Sequence, residues 1–179
     1  MAKTDIFDAS VRPASVIRTE TLFKPAGCID QMVEQFLGDD PVFGRMNAIQ
    51  IEDYFDPAKL AAAKASLQLV NAGLTLVVGT GAAYVVPEAD VLVFADMARW
   101  EIQMRYRRNE IGNLGADNTS ATTAVKYKRA YFVDWRAADR LKQKLFSQIG
   151  FLLDTNDTNT PKMISGDALL EGFFTCSGR

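Results

Sequence analysis

Two runs constrain the fold of this chain more than anything else in it: "LTLVVG" at residues 74–79 and "ADVLVFAD" at 89–96. Each carries a continuous apolar stretch of strand length, without the alternation that marks a half-solvated strand. Such stretches are typical of parallel strands buried on both faces, and parallel strands need long crossover connections that are usually helical. Suitable connections flank both runs. Before the first, "DPAKLAAAKASLQLVNAG" offers Asp56 as an N-cap, Pro57 at the tolerated first helical position and Gly73 as a stop. After the second, "ARWEIQMRYRRNE" mixes charged and apolar residues at helical period. The expected class is α/β, a three-layer domain with a mainly parallel sheet.

The remaining segments fit that class. "SVIRTETLF" (15–23) is rich in β-branched and aromatic residues and reads as a strand. Ile29, Met32, Val33, Phe36 and Leu37 then fall at helical spacing, with Gly38 as the stop. "DDPVFGRMNAIQIEDYF" is a turn-rich connection, expected to be pinned to the body by Phe43, Tyr54 and Phe55. Its Asp39 and Asp40 stand before Pro41 and read as a turn in preference to a magnesium site. "AYFVDW" reads as a strand entering the amphipathic helix "RAADRLKQKLFSQI", with Asp134 as its cap. "GFLLDT" follows, then a polar turn in "DTNDTNTPK", which lacks the glycine and terminal glutamate of a calcium loop. A last helix in "SGDALLEGFF" begins at Ser165 or Asp167. With no repeat, low-complexity tract or linker, residues 1–179 are expected to form one α/β domain.

Two absences limit the chemistry. The chain has no histidine, which removes imidazole acid–base work, Ser-His-Asp and Cys-His nucleophiles and nearly every catalytic zinc site. It also has no GxxxxGK[ST], the grip that P-loop enzymes use on a nucleoside triphosphate. Cys28 and Cys176 match no metal or redox spacing and are expected to be free thiols. No metal or cofactor is expected in this chain. No run reaches the length of a membrane span, and "MAKTDIFDASVRP" has no apolar signal core, so the chain reads as cytoplasmic.

Charge is spread unevenly. Residues 99–144 hold 11 basic and 5 acidic side chains, whereas residues 1–98 hold 7 and 13. A basic segment in an otherwise acidic chain suits a small anion better than nucleic acid, which the acidic remainder would repel. Four arginines, Arg99, Arg105, Arg107 and Arg108, lie within ten residues. Guanidinium forks bind phosphate oxygens in bidentate fashion, and four of them exceed what solubility needs; the competing reading is a solvated surface helix with snorkelling arginines. In a helix Glu101 and Arg105 pair at i, i+4, while Ile102 and Tyr106 dock on the core. The corner "VVGTGA" ends the first apolar run. There Gly79 and Gly81 let backbone N–H groups approach a ligand, and Thr80 adds a hydroxyl. The competing reading is tight packing at a strand end, and the full dinucleotide fingerprint GxGxxG is not met. "YKRAYFVDWRAADRLK" could form a second wall of the same site. Lys128 and Arg129 would supply charge, and Tyr131 or Trp135 would stack on a base or sugar. "NEIGNLGADN" between the two basic clusters reads as a flexible loop suited to a lid, or as plain surface.

The layout of "GLTLVVGTGAAYVVPEADVLVFADMARWEIQMRYRRNE" is similar to the later half of uridine-kinase-like P-loop kinases. By that resemblance Asp96 ends a strand and the following arginines belong to a phosphate-contacting lid helix; the family's phosphate loop has no match in residues 1–40. Over more of the chain, "FKPAGCIDQMVEQFLGDDPVFGRM", "DYFDPAKL", "GTGAA", "ARWEIQMRYRRNEIGNLGADN", "YKRAYFVDWRAADRLK" and "DTNDTNTPKMISGDAL" together resemble the N-terminal, kinase-like region of bacterial class I mannose-6-phosphate-isomerase-like proteins. The resemblance implies a P-loop-kinase-like fold lacking a Walker A loop. It also implies a phosphorylated sugar or nucleotide as ligand, and a cupin domain or subunit as partner, with a homo-oligomer also open. The isomerase chemistry implied by that family uses zinc on histidine and carboxylates in the cupin. It is therefore expected from another domain or chain. The alternatives are a non-enzymatic interaction or oligomerisation module and, behind it, an atypical kinase or NTPase.

Overall fold

A computed structural model of the chain describes residues 12–68 and 72–178. It is a mixed helix-and-strand protein that falls into two compact units, each with its own small sheet. The first unit comprises the described residues up to Lys24 together with Ile51–Glu88; the second comprises Pro25–Gln50 and the described residues from Ala89 onward.

In the first unit, strand β1 (Ser15–Arg18) pairs in parallel with β2 (Thr75–Val78), Ser15 opposite Thr75 and Arg18 opposite Val78. Helix α2 (Pro57–Gln68) belongs to the crossover between them. Its start follows the expected chemistry, because Asp56 Oδ1 accepts hydrogen bonds from the N–H groups of Ala58 (2.9 Å) and Lys59 (3.1 Å). The expected continuation of this helix over residues 69–71 lies outside the described residues. The core is built from Phe23, Ile51, Tyr54, Phe55, Leu60 and, on the short helix α3 (Ala82–Val85), Val85, all buried. Phe23 and Phe55 meet edge to face at 5.0 Å. Of the strand expected over 15–23, Ser15–Arg18 is formed and Phe23 makes an isolated antiparallel bridge to Phe55, but Thr19–Leu22 forms a 3₁₀ turn in which Thr21 Oγ1 donates to the Arg18 carbonyl at 2.7 Å.

The second unit opens with helix α1 (Ala26–Leu37), which buries Ile29 and Val33 and stops at Gly38, where φ is +57° and the N–H donates to the Glu34 carbonyl. Strand β3 (Val93–Asp96) runs parallel to β4 (Phe151–Asp154), and β5 (Lys162–Ser165) lies antiparallel to β4. Strand β5 is an addition to the expected elements, since Lys162 closes a segment that reads as a polar turn. Helix α4 (Arg99–Arg107) follows β3, and helix α7 (Gly166–Ser177) follows β5 with Ser165 as its N-cap.

Several expectations are corrected here. The two apolar runs are not buried on both faces: β2 is half-buried with Val78 exposed, and β3 alternates exposed and half-buried residues. "AYFVDW" is not a strand. Helix α5 (Thr123–Arg129), a π-helical turn (Ala130–Asp134) and helix α6 (Trp135–Leu145) run on without a break in helical geometry. Thr122 caps the start, and the buried positions Lys126, Ala130, Val133, Asp134, Ala137 and Leu141 recur at helical, not strand, spacing. Asp134 therefore sits inside a helix and caps nothing. In the connection after α1, Tyr54 and Phe55 are anchored as expected, but Phe43 is 70 % exposed. Asp40 makes the expected turn by accepting from the N–H groups of Val42 and Phe43, both at 2.7 Å.

Candidate functional site

The π-helical turn organises the most distinctive surface of the second unit. Its wider winding keeps Tyr127, Tyr131 and Trp135, spaced four apart, along one line of the helix, and such turns recur at functional sites. Tyr127 stacks on Tyr131 with centroids 6.1 Å apart, and Trp135 meets Tyr127 edge to face at 5.4 Å. Both tyrosines are partly open to solvent, while Trp135 is buried and forms the floor. Two guanidiniums lie on these rings. Arg99, at the start of α4, sits 5.3 Å from the centroid of Trp135, and Arg136 sits 5.3 Å from that of Tyr131. One carboxylate joins them: Asp139 Oδ2 accepts from Arg99 Nη2 at 2.5 Å and lies 3.9 Å from Arg136 Nη2. Arg136 is further held by donation from Nε to the Tyr131 carbonyl at 3.2 Å. The result is a pair of cations on an aromatic platform, Arg99 exposed and Arg136 half-buried, with a single anionic oxygen between them.

The other basic residues of the arginine segment have different tasks. Arg105 is largely enclosed, donating through Nε to Glu101 (3.0 Å) and through Nη2 to the Thr155 carbonyl (3.0 Å), so it ties α4 to the loop after β4. Arg108 donates to Glu110 (2.6 Å) and Glu101 (3.0 Å). These hydrogen bonds hold both carboxyls below the usual range, Glu101 chiefly through Arg105 and Glu110 through Arg108. Arg107 is exposed. Lys128 donates to the carbonyls of Gly38 and Asp40. Arg129 is buried, where it donates to Asp30 (2.5 Å) and the Leu114 carbonyl (2.9 Å) and lies 3.7 Å from Asp134. At the carboxyl end of β3, Asp96 pairs with Lys142 at 2.5 Å, while Asp139 serves the two arginines. Among the described residues, no three acidic or cysteine side chains are grouped so as to hold a metal ion.

A family model described as Domain of unknown function (DUF8485) matches residues 3–177. The chain belongs to this family. No curated protein and no solved structure matches it.

The glycine corner of this DUF8485 chain lies in the first unit, whereas every arginine and lysine of the expected site lies in the second. Gly79 (φ +123°) and Gly81 (φ +82°) both adopt backbone conformations that disfavour side chains. A Cβ at Gly79 would collide with Thr19 Oγ1, and one at Gly81 would come within 2.8 Å of Ile51 Cγ2 and Phe55 Cε2. Close packing at the strand end thus accounts for both glycines. Thr80 between them is exposed.

Sequence reasoning missed a buried polar network in the second unit. "NEIGNLGADN" is no loose lid: its Asn113 is 5 % exposed, donating through Nδ2 to Asp134 Oδ2 (2.8 Å) and the Lys126 carbonyl (2.9 Å). Lys126 is wholly buried, with Nζ donating to the Tyr106 carbonyl (2.9 Å), Asn109 Oδ1 (2.8 Å) and the Thr119 carbonyl (2.6 Å). Burial, reinforced by the nearby Asp134 charge, raises the Tyr106 phenol well above its usual pKa. The one available signal was a lysine at a helical core position, which reads equally well as surface.

Proposed function

We propose that the second unit binds a phosphorylated sugar or nucleotide on the Arg99–Arg136 platform, and that the chain is a kinase-like accessory domain of a sugar-phosphate isomerase system. The observation that carries the ligand reading is the position of Asp139. Its carboxylate oxygen lies between two guanidiniums where a phosphate oxygen would sit, and two cations facing one anion leave a positive charge unspent. The half-exposed rings of Tyr127 and Tyr131 offer a face on which a sugar or base stacks. The accessory-domain reading rests on the resemblance to mannose-6-phosphate-isomerase-like proteins. The three-layer, P-loop-kinase-like arrangement belongs to it, supported by the parallel pairing of β1 with β2 and of β3 with β4. The isomerase chemistry then comes from a cupin domain or subunit.

Calorimetric titration with mannose 6-phosphate, fructose 6-phosphate and ATP tests the ligand reading. Saturable binding of at least one phosphate ester is expected, weakened by about tenfold or more in Arg99→Ala and Arg136→Ala, since each removes one charge-assisted fork. No heat with any of them would sink it and favour an interaction module. Phosphoryl transfer from ATP would favour a phosphotransferase.

A further inference from the structure

We infer that the first unit accepts an extended acidic peptide of a partner protein as an added strand along the outer edge of β1. This goes beyond the phosphate-binding reading, which concerns the second unit. Beside β1 lies an open groove of about 520 Å³, within the range of peptide and small-molecule sites. One wall is the strand itself, with Val16, Ile17 and Arg18 in succession. The other is a face of α2, where Lys59, Ala62 and Ser66 recur at helical spacing. Small side chains on that wall leave room for a second backbone to approach. Among the described residues β1 has a partner strand on one side only, β2. A parallel sheet of two strands falls short of the three or more that give a sheet independent stability. An unpaired edge next to an apolar groove is the geometry used for strand addition, in which main-chain hydrogen bonds give affinity and alternate side chains give specificity.

Charge selects the occupant. The two charged side chains lining the groove, Arg18 and Lys59, are both cationic, and no acid lines it. Glu20 reaches Arg18 only at 3.9 Å with both side chains exposed, a weak pair that an incoming carboxylate can displace. Lys59 Nζ donates to the Phe23 carbonyl at 3.1 Å, which fixes the ammonium at the groove. Alternating apolar and acidic residues would match the apolar floor and the cationic rim.

The test uses the full chain and a fluorescein-labelled acetyl-Val-Glu-Val-Glu-Val peptide, read by fluorescence anisotropy. Saturable binding is expected. It should weaken by about tenfold or more when the glutamates become lysines, and be lost when alternate peptide nitrogens are methylated, because methylation removes the strand-forming N–H groups. Ala62→Trp, which fills the groove from an exposed position, should weaken binding to the same degree with its circular dichroism unchanged. The double variant Arg18→Glu, Lys59→Glu should reverse the peptide preference. No saturable signal, equal binding of the methylated peptide, or unimpaired binding by a folded Ala62→Trp chain would each overturn the proposal. So would a self-associated chain that Ala62→Trp dissociates, since the occupant would then be a second copy.

Discussion

Glu101 accepts hydrogen bonds from both Arg105 and Arg108, and the two guanidiniums hold its carboxyl below the ordinary value of 4.5. A carboxyl depressed in the folded state adds stability that is present above its unfolded pKa and is lost as pH falls through the lower folded value. Glu101→Gln should therefore flatten the decline of thermal midpoint as pH falls below 4.5, measured by circular dichroism; an unaltered slope would show that the pair does not outlast solvent competition. Asn113 is more consequential. Besides Asp134 and Lys126 it engages Asn118 twice, its N–H and Oδ1 both at 2.9 Å from that amide group. Asn113→Ala keeps the backbone bond to Asn118 but removes the side-chain bonds to Asp134, the Lys126 carbonyl and Asn118 Nδ2, and should cost about 2–4 kcal/mol, since buried groups left unpaired are expensive. Urea denaturation of the variant checks it. The i, i+4 pair of Glu101 and Arg105 was legible in the sequence because helix geometry alone predicts it. The Asn113 network was not, because it joins residues from three separate segments and no local spacing encodes it.

At the scale of elements, the helices were more legible than the strands. Asp56, Pro57, Gly38 and Ser165 announce helix ends through their own backbone and side-chain chemistry, and the structure uses each in that way. "AYFVDW" misled because bulky residues in an unbroken run satisfy strand and buried-helix patterns alike; the Thr122 cap and the buried face decided for helix. The π turn inside it was not readable, yet it aligns the three aromatic rings of the candidate site. The corner "VVGTGA" was ambiguous for a related reason. A glycine demanded by a ligand and a glycine demanded by a neighbouring side chain look the same in sequence. Packing against Ile51 and Phe55 predicts that Gly81→Ala destabilises by about 2–4 kcal/mol, from positive φ and overpacking together. A loss below about 0.5 kcal/mol in chemical denaturation, as at an ordinary surface site, would show that the corner relaxes freely.

Across the whole molecule, the basic segment 99–144 forms α4, α5 and α6 of one unit, so the charge asymmetry of the sequence does mark a physical region. Much of that charge is answered internally, by Glu101, Glu110, Asp134, Asp139 and Asp96. What distinguishes the Arg99–Arg136 pair is its setting on one cluster of aromatic rings, with Trp135 buried beneath Arg99 and Tyr131 open to solvent beneath Arg136. The chain holds only two tryptophans, which makes the site directly observable. Trp135 lies under Arg99, and Trp100 is 67 % exposed on α4. Nitrogen-15 NMR of the indole N–H groups during titration with mannose 6-phosphate, fructose 6-phosphate or ATP, with Trp100→Phe for assignment, reads the platform itself. The account predicts that at least one phosphate ester shifts the Trp135 signal saturably and that Arg99→Ala raises the midpoint of that titration by about tenfold or more. A Trp135 signal unmoved by all of them would contradict it.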